Sequence, residues 1–255
     1  MKNNLPAQFI AMGLVPGYPS LASSYKIAEI LLKNKVDVVE FSASFSEPVA
    51  DGPVLAKAHQ EVIKNKISKS RIFDFYEKLR QKHQDQFFFV IEYANIIYHA
   101  GIENYYKKLA QVKIDALLIP DVPLEEIRPY KKMAEKYRIG QILIVSPNLE
   151  NDHILKIAKV SEPFIYLTTV TGVTGKRKTI AKSTLDFIKT VKRLTKKPLL
   201  VGFGIQYLAQ IKQIFKAGAS GIVICSKLVS MKDDYQKIEK YSRKVSSFLT
   251  CKGFV

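Results

Sequence analysis

Three acidic side chains stand where a carboxyl could do chemistry. Glu40 closes the apolar run Val38-Val39-Glu40-Phe41. Among apolar neighbours, desolvation disfavours the charged form and raises a carboxyl pKa, which suits a general acid. The competing reading is an ordinary surface Glu at a strand end. Asp51 sits mid-way along Ser46-Glu47-Pro48-Val49-Ala50-Asp51-Gly52-Pro53. The prolines and Gly52 mark an ordered loop, and Asp51 could equally cap the following helix. Asp121, in Ile119-Pro120-Asp121-Val122-Pro123, could also simply form a turn.

An anion site is the stronger signal. Gly202-Phe203-Gly204-Ile205 and Gly221-Ile222-Val223-Ile224-Cys225-Ser226-Lys227 lie near the end of the chain. Glycines let backbone N–H groups approach an anion closely, and Ser226 could open a short helix aimed at it. Between these features and the acids lies Thr168-Thr169-Val170-Thr171-Gly172-Val173-Thr174-Gly175, followed by Lys176-Arg177-Lys178. Its small, hydroxyl-rich residues read as a mobile lid, or else as a solvated loop. The histidines, His59, His83, His99 and His153, are scattered and read as surface residues with no metal spacing. Cys225 and Cys251 form no metal or disulfide pattern.

These residues need a scaffold. Eight nearly continuous apolar runs read as strands buried on both faces: 9–15, 36–41, 87–93, 116–119, 141–145, 164–168, 198–202 and 221–224. Helix-period stretches separate them, at 21–33, 102–111, 124–137, 152–159, 184–194 and 208–217, with an extra helix at 53–67 before another at 70–83. Ser20, Ser70, Asn151 and Ser183 read as N-caps and Gly218 as a residue just beyond a helix end. The rhythm predicts an α/β fold, a TIM (β/α)8 barrel forming a single domain over residues 1–255. The runner-up, an open doubly wound sheet, lacks a Gly-x-Gly-x-x-Gly opening its first helix. In such a barrel, chemistry sits at the C-terminal strand ends, and a phosphate site after strands seven and eight is common.

Bulk properties agree. The chain has 255 residues, 47% of them hydrophobic, enough for one large core. The net charge of +17 is spread over lysines of nearly every predicted helix, with no nucleic-acid-binding motif. It could draw in an anionic phosphate substrate. No apolar run reaches the roughly 20 residues of a membrane helix. The start of the chain has no signal-peptide core, so a cytoplasmic protein with no membrane or nucleic-acid partner is expected.

The motifs in order resemble one family. Phe45-Ser46-Glu47-Pro48-Val49-Ala50-Asp51-Gly52-Pro53 is similar to the Pro-Phe-Ser-Asp-Pro-x-Ala-Asp-Gly-Pro stretch of tryptophan synthase alpha chains. Glu40 precedes it at the family separation. Tyr93-Ala94-Asn95, Asp121-Val122-Pro123, Thr171-Gly172-Val173-Thr174-Gly175 and Gly202-Phe203-Gly204-Ile205 complete the set, which spans about residues 9 to 230. The resemblance implies retro-aldol cleavage of indole-3-glycerol phosphate to indole and glyceraldehyde 3-phosphate. Glu40 would be the acid–base group and Asp51 the acceptor for the indole N–H. Tyr93, Tyr166, Thr174 and Phe203 would bind substrate, Tyr166 and Thr174 also organising the lid. Gly175, Gly204, Cys225 and Ser226 would hold the phosphate. It also implies no cofactor in this chain and docking, through Glu47, Pro48, Asn95 and Pro123, onto a pyridoxal-phosphate-dependent beta chain in an αββα heterotetramer.

Several positions depart from the family pattern. Gly13 stands in place of an aromatic, which would leave space near the indole. Glu92 replaces an apolar residue or glycine, which would put a second carboxylate in the pocket. Ser42 and Ser44 replace Gly and Pro, and Cys225 replaces a phosphate-cradle Gly, where it would crowd the anion. These departures frame an alternative: an impaired alpha chain acting mainly as an allosteric activator of the beta chain.

Overall fold

The computed structural model describes residues 5–168, 179–202 and 204–250. The chain runs β1 (Phe9–Leu14), α1 (Leu21–Lys33), β2 (Val38–Ser42), α2 (Pro53–Lys64), α3 (Lys69–Lys82), β3 (Phe87–Ile91), α4 (Ala94–Ala100) and α5 (Ile102–Gln111). It continues through β4 (Ala116–Leu118), α6 (Arg128–Tyr137), β5 (Gly140–Ile142), β6 (Ile144–Val145), α7 (Asn151–Val160), β7 (Ile165–Thr168) and α8 (Lys182–Leu194). Then follow β8 (Leu199–Gly202), α9 (Leu208–Lys216), β9 (Gly221–Ile224), α10 (Ser226–Val229) and α11 (Tyr235–Thr250).

The strands form one parallel sheet in the order β5-β4-β3-β2-β1-β9-β8-β7-β6. Its two end strands are consecutive pieces of the chain separated only by Leu143, so the backbone itself completes the ring. The structure is the expected TIM barrel, with the fifth predicted strand split in two. The cause is local: the Leu143 N–H donates to Ser161 Oγ (2.9 Å) instead of to a neighbouring strand. Two helices, α2 and α3, follow β2 as expected.

Alternation along each strand sorts side chains into two cores. Phe9, Ala11, Val38, Phe87, Phe89, Leu118, Phe164, Leu200 and Val223 fill the barrel. Their neighbours Ile10, Met12, Val39, Phe88 and Val90 pack outward under the helices. The interior is plugged at its lower end by aromatic rings. Phe164 lies 5.8 Å from Phe9, 6.1 Å from Phe87 and 5.7 Å from Phe89 between ring centroids. Phe9 sits in the space above Gly221, where an added Cβ would meet its ring at 2.4 Å.

Some expected helix ends are corrected. Ser20 caps α1 through Ser23 N–H (3.0 Å), and Gly218 lies past α9 with φ +104°, both as expected. The α3 cap is Ser68 rather than Ser70, which lies inside the helix and hydrogen-bonds the cap hydroxyl at 2.9 Å. Asn151 and Ser183 also lie inside α7 and α8, whose caps Glu150 and Ala181 give no side-chain bond. Helices α4 and α11 are additional to the sequence reading. The start of α4 is satisfied from another loop, by Asp121 Oδ1 accepting the Ala94 N–H at 2.9 Å. Helix α11 packs on α1, where Asn34 Nδ2 donates to Ser242 Oγ (2.7 Å).

The plug gives a test of the barrel. Gly221→Ala drives a Cβ into the Phe9 ring and should cost about 1–3 kcal/mol, the usual penalty for overpacking. Urea denaturation of the variant against wild type measures it.

Candidate active site

The barrel interior changes character towards its C-terminal end. Val38 and Glu40 are two residues apart on β2, so the Glu40 side chain points inward like Val38, only higher. It is 3% exposed. Space for it comes from β1, where Gly13 pairs in register with Glu40. A Cβ on Gly13 would lie 2.6 Å from Glu40 Oε1 and 2.7 Å from Cys225 Sγ. The carboxyl and the thiol therefore occupy the volume that a larger residue 13 would claim, which corrects the expectation of an open space there.

Burial pushes the Glu40 carboxyl up to about 8, and the nearby negative charge of Asp51 adds to the rise. Side-chain hydrogen bonds from Tyr166 and Cys225 pull the other way without overcoming it. At neutral pH the group carries a proton. Among the described residues, Glu40 Oε2 has no hydrogen-bond partner. Tyr166 reaches Glu40 because Gly202 opposite has no side chain; a Cβ there would stand 2.5 Å from the Tyr166 hydroxyl.

Asp51 approaches from the loop between β2 and α2, and two neighbours fix that loop. Tyr93, buried at the end of β3, stacks on Phe45 with ring centroids 4.3 Å apart. Its hydroxyl accepts the Ala50 N–H at 3.2 Å, directly before Asp51. Burial pushes the Tyr93 hydroxyl up to about 12, so it remains a neutral phenol. On the other side, His59 Nε2 lies 3.1 Å from Asp51 Oδ2. His59 is 0% exposed, which corrects its reading as a surface residue. Of the remaining histidines, His83 and His153 are half-buried beside Glu29 and Glu125, and His99 is exposed.

A single cavity of about 210 Å³ brings the pieces together. At about 30 Å³ per water, that is room for roughly seven waters or one small ring system. It is lined by Glu40, Asp51, Tyr93, Tyr166, Gly204, Cys225 and Ser226, with apolar Leu55, Ile91, Leu118, Ile144 and Val223. The cavity thus offers a protonated acid among apolar walls. It also offers the turn at Gly204, which has φ +52°, and the first turn of α10, whose N–H groups have no partner within that helix. The arrangement can hold a flat apolar group carrying an N–H, donate a proton to it, and bind an anion beside it.

A family model described as tryptophan synthase alpha chain matches residues 2–252. The chain belongs to that family. It is 36% identical over 222 residues to the tryptophan synthase alpha chain of Buchnera aphidicola subsp. Melaphis rhois, covering 87% of this chain and 82% of that one. It is 32% identical over 231 residues to that of Methanocaldococcus jannaschii, covering 91% and 81%. A solved chain from Aquifex aeolicus matches with a TM-score of 0.87 at 27% identity over 94% of this chain and 92% of its own. A chain of the tryptophan synthase complex from Pyrococcus furiosus has the same fold, with a TM-score of 0.86 at 22% identity over 94% and 98%.

For a tryptophan synthase alpha chain, the departures noted in the sequence resolve differently from expectation. Glu92 faces away from the cavity, on the same side of β3 as Phe88 and Val90. There its carboxylate accepts from Lys69 Nζ (2.9 Å) and Tyr105 Oη (3.0 Å) between barrel and helices. Burial still raises its pKa, with Lys69 opposing, but Glu92 does not act on Glu40. Cys225 turns towards Gly13 and Glu40. Ser42 is buried with Oγ 3.5 Å from His59 Nε2, and Ser44 is half-buried. Glu47, Asn95 and Pro123 are exposed and Pro48 half-buried. Thr174, Gly175 and Phe203, with the expected lid, lie outside the described residues.

The Glu40 shift sets a pH dependence. The folded value of about 8 exceeds the ordinary 4.5, so between these pH values the folded chain keeps a proton that the unfolded chain releases. This contribution to stability is complete below the lower value and is lost as pH rises through the window. Urea midpoints of Glu40→Gln should therefore decline less than those of wild type between pH 5 and pH 8. Parallel declines would contradict the buried proton.

Proposed function

We propose that this chain is a lyase that cleaves indole-3-glycerol phosphate to indole and glyceraldehyde 3-phosphate. The observation that most supports this is the buried Glu40 carboxyl, whose pKa burial raises, opening on the same cavity as the Gly204 turn and Ser226. Glu40 donates its proton to indole C3, the ring carbon that bears the side chain. Positive charge develops on the ring nitrogen, and Asp51, accepting the N–H, stabilises it. The carboxylate left on Glu40 then takes the proton of the adjacent side-chain hydroxyl. The electron pair of the carbon–carbon bond returns to the ring, releasing indole, and the hydroxyl carbon becomes the aldehyde. Glu40 ends protonated, so the cycle closes without a cofactor.

Tyr93, Tyr166, Thr174 and Phe203 would position the substrate in this reading. Gly175, Gly204, Cys225 and Ser226 would hold its phosphate. Indole would pass to a pyridoxal-phosphate-dependent beta chain in an αββα assembly, with Glu47, Pro48, Asn95 and Pro123 at the contact. Apolar side chains exposed around the same rim suit a docking surface: Val49 is 83% exposed, Tyr98 72% and Val54 41%.

The test is indole release from indole-3-glycerol phosphate by the purified complex with a beta chain. General acid–base catalysis is typically worth about 10²–10⁴-fold, so Glu40→Gln should lower the rate by about that factor. A wild-type complex that released no indole, yet converted indole and serine to tryptophan faster than the beta chain alone, would overturn the lyase reading in favour of an activating subunit.

A further inference from the structure

The most informative group outside the acid–base pair is His59, which the sequence pattern leaves on the surface. It lies on α2 in line with Leu55, Ala58 and Val62, positions that face the barrel. Its side chain is completely enclosed. A carboxylate can only accept a hydrogen bond, so the proton between His59 Nε2 and Asp51 Oδ2, 3.1 Å apart, belongs to the imidazole. Ser42 Oγ stands 3.5 Å from the same nitrogen, at the outer limit of a hydrogen bond. The ring's other nitrogen, Nδ1, has no partner among the described residues. The one close polar bond of this buried ring is therefore spent on Asp51.

We infer that His59 is a positioning residue for the reaction: its Nε2–H engages Asp51 Oδ2 and so aims Oδ1 at a ring N–H in the cavity. This rests on the lyase reading and adds to it a specificity element acting through Asp51. Three hydrogen bonds hold Asp51: the Tyr93 hydroxyl on the Ala50 N–H, the Asp51 N–H on the Pro48 carbonyl (2.9 Å), and the imidazole on the carboxylate itself. Among the described residues, the last is the one that engages the carboxylate. Without it the group turns freely and meets the substrate N–H in many geometries, and small misplacements of a catalytic contact are costly in rate.

The test uses the purified alpha–beta complex and four variants: His59→Leu, His59→Gln, Asp51→Asn and the His59→Leu/Asp51→Asn double. His59→Leu keeps the volume and removes the donor, and His59→Gln restores an N–H near the same place. In His59→Leu, kcat for indole release should fall roughly 10–100-fold, with a smaller change in KM and partial recovery in His59→Gln. The double variant should be no slower than Asp51→Asn alone, because the imidazole acts through that carboxylate. In binding, indole-3-propanol phosphate should be preferred over its N1-methyl counterpart by wild type, and the preference should shrink in His59→Leu. Thermal melts report folding separately. An altered melting temperature with unchanged kcat and unchanged N–H preference would overturn the inference, as would losses that add to those of Asp51→Asn. A wild type that released no indole would instead strike the lyase reading, and the two failures are distinct.

Discussion

The site is organised around the difficulty of placing a carboxyl in an apolar barrel. Glu40 has Val38 below it, Gly13 beside it on β1 and Phe89 opposite it on β3. Burial leaves its charge poorly solvated, so the proton stays on, and a carboxyl that would ordinarily be ionised at neutral pH keeps a proton to donate. The neighbours keep it in place without neutralising the effect. Tyr166 and Cys225 both hydrogen-bond to it, and the gap at Gly13 is the size of the groups that fill it. A glycine at position 13 and a cysteine at position 225 are thus one packing solution, and neither side chain can be judged alone.

Around this acid, the loops are fixed by contacts that cross between elements. Asp121 closes the start of α4, Tyr93 holds the Ala50 backbone, and His59 meets Asp51 from α2. The first two contacts tie the loops after β2, β3 and β4 to one another, and the third ties the β2 loop to the helix that follows it. The aromatic plug of Phe9, Phe87, Phe89 and Phe164 shuts the opposite end, which leaves the C-terminal mouth as the place where the interior meets solvent. Docking of a second protein on that rim would sit directly over the chemistry, a natural arrangement for handing over an apolar product.

Much of this was legible beforehand because strands buried on both faces are written as unbroken apolar runs. The barrel and Glu40 could be read that way, while Asp51 stood out by its proline- and glycine-marked loop and the last two turns by their glycines. The same continuity hid the facing of Glu92: where both faces are apolar, nothing in the run marks which side is inside, and counting by twos from Glu40's neighbours across the sheet was required. His59 was missed for the opposite reason. Its helical spacing from Leu55 and Val62 did place it on the buried face, but a lone polar residue is more often solvated, and its partner Asp51 belongs to a loop whose course the sequence does not specify. The cap of α4 was hidden likewise, since its acceptor comes from 27 residues further along.

The most direct test is to titrate Glu40 itself. With glutamate labelled at the side-chain carboxyl carbon, and the Glu40 resonance assigned by its absence in Glu40→Gln, the NMR shift can be followed from pH 4 to pH 9. The account predicts a midpoint near 8. A midpoint near the ordinary value of 4.5 would mean that the carboxyl is ionised at neutral pH, and an acid at the barrel mouth would have to be sought elsewhere.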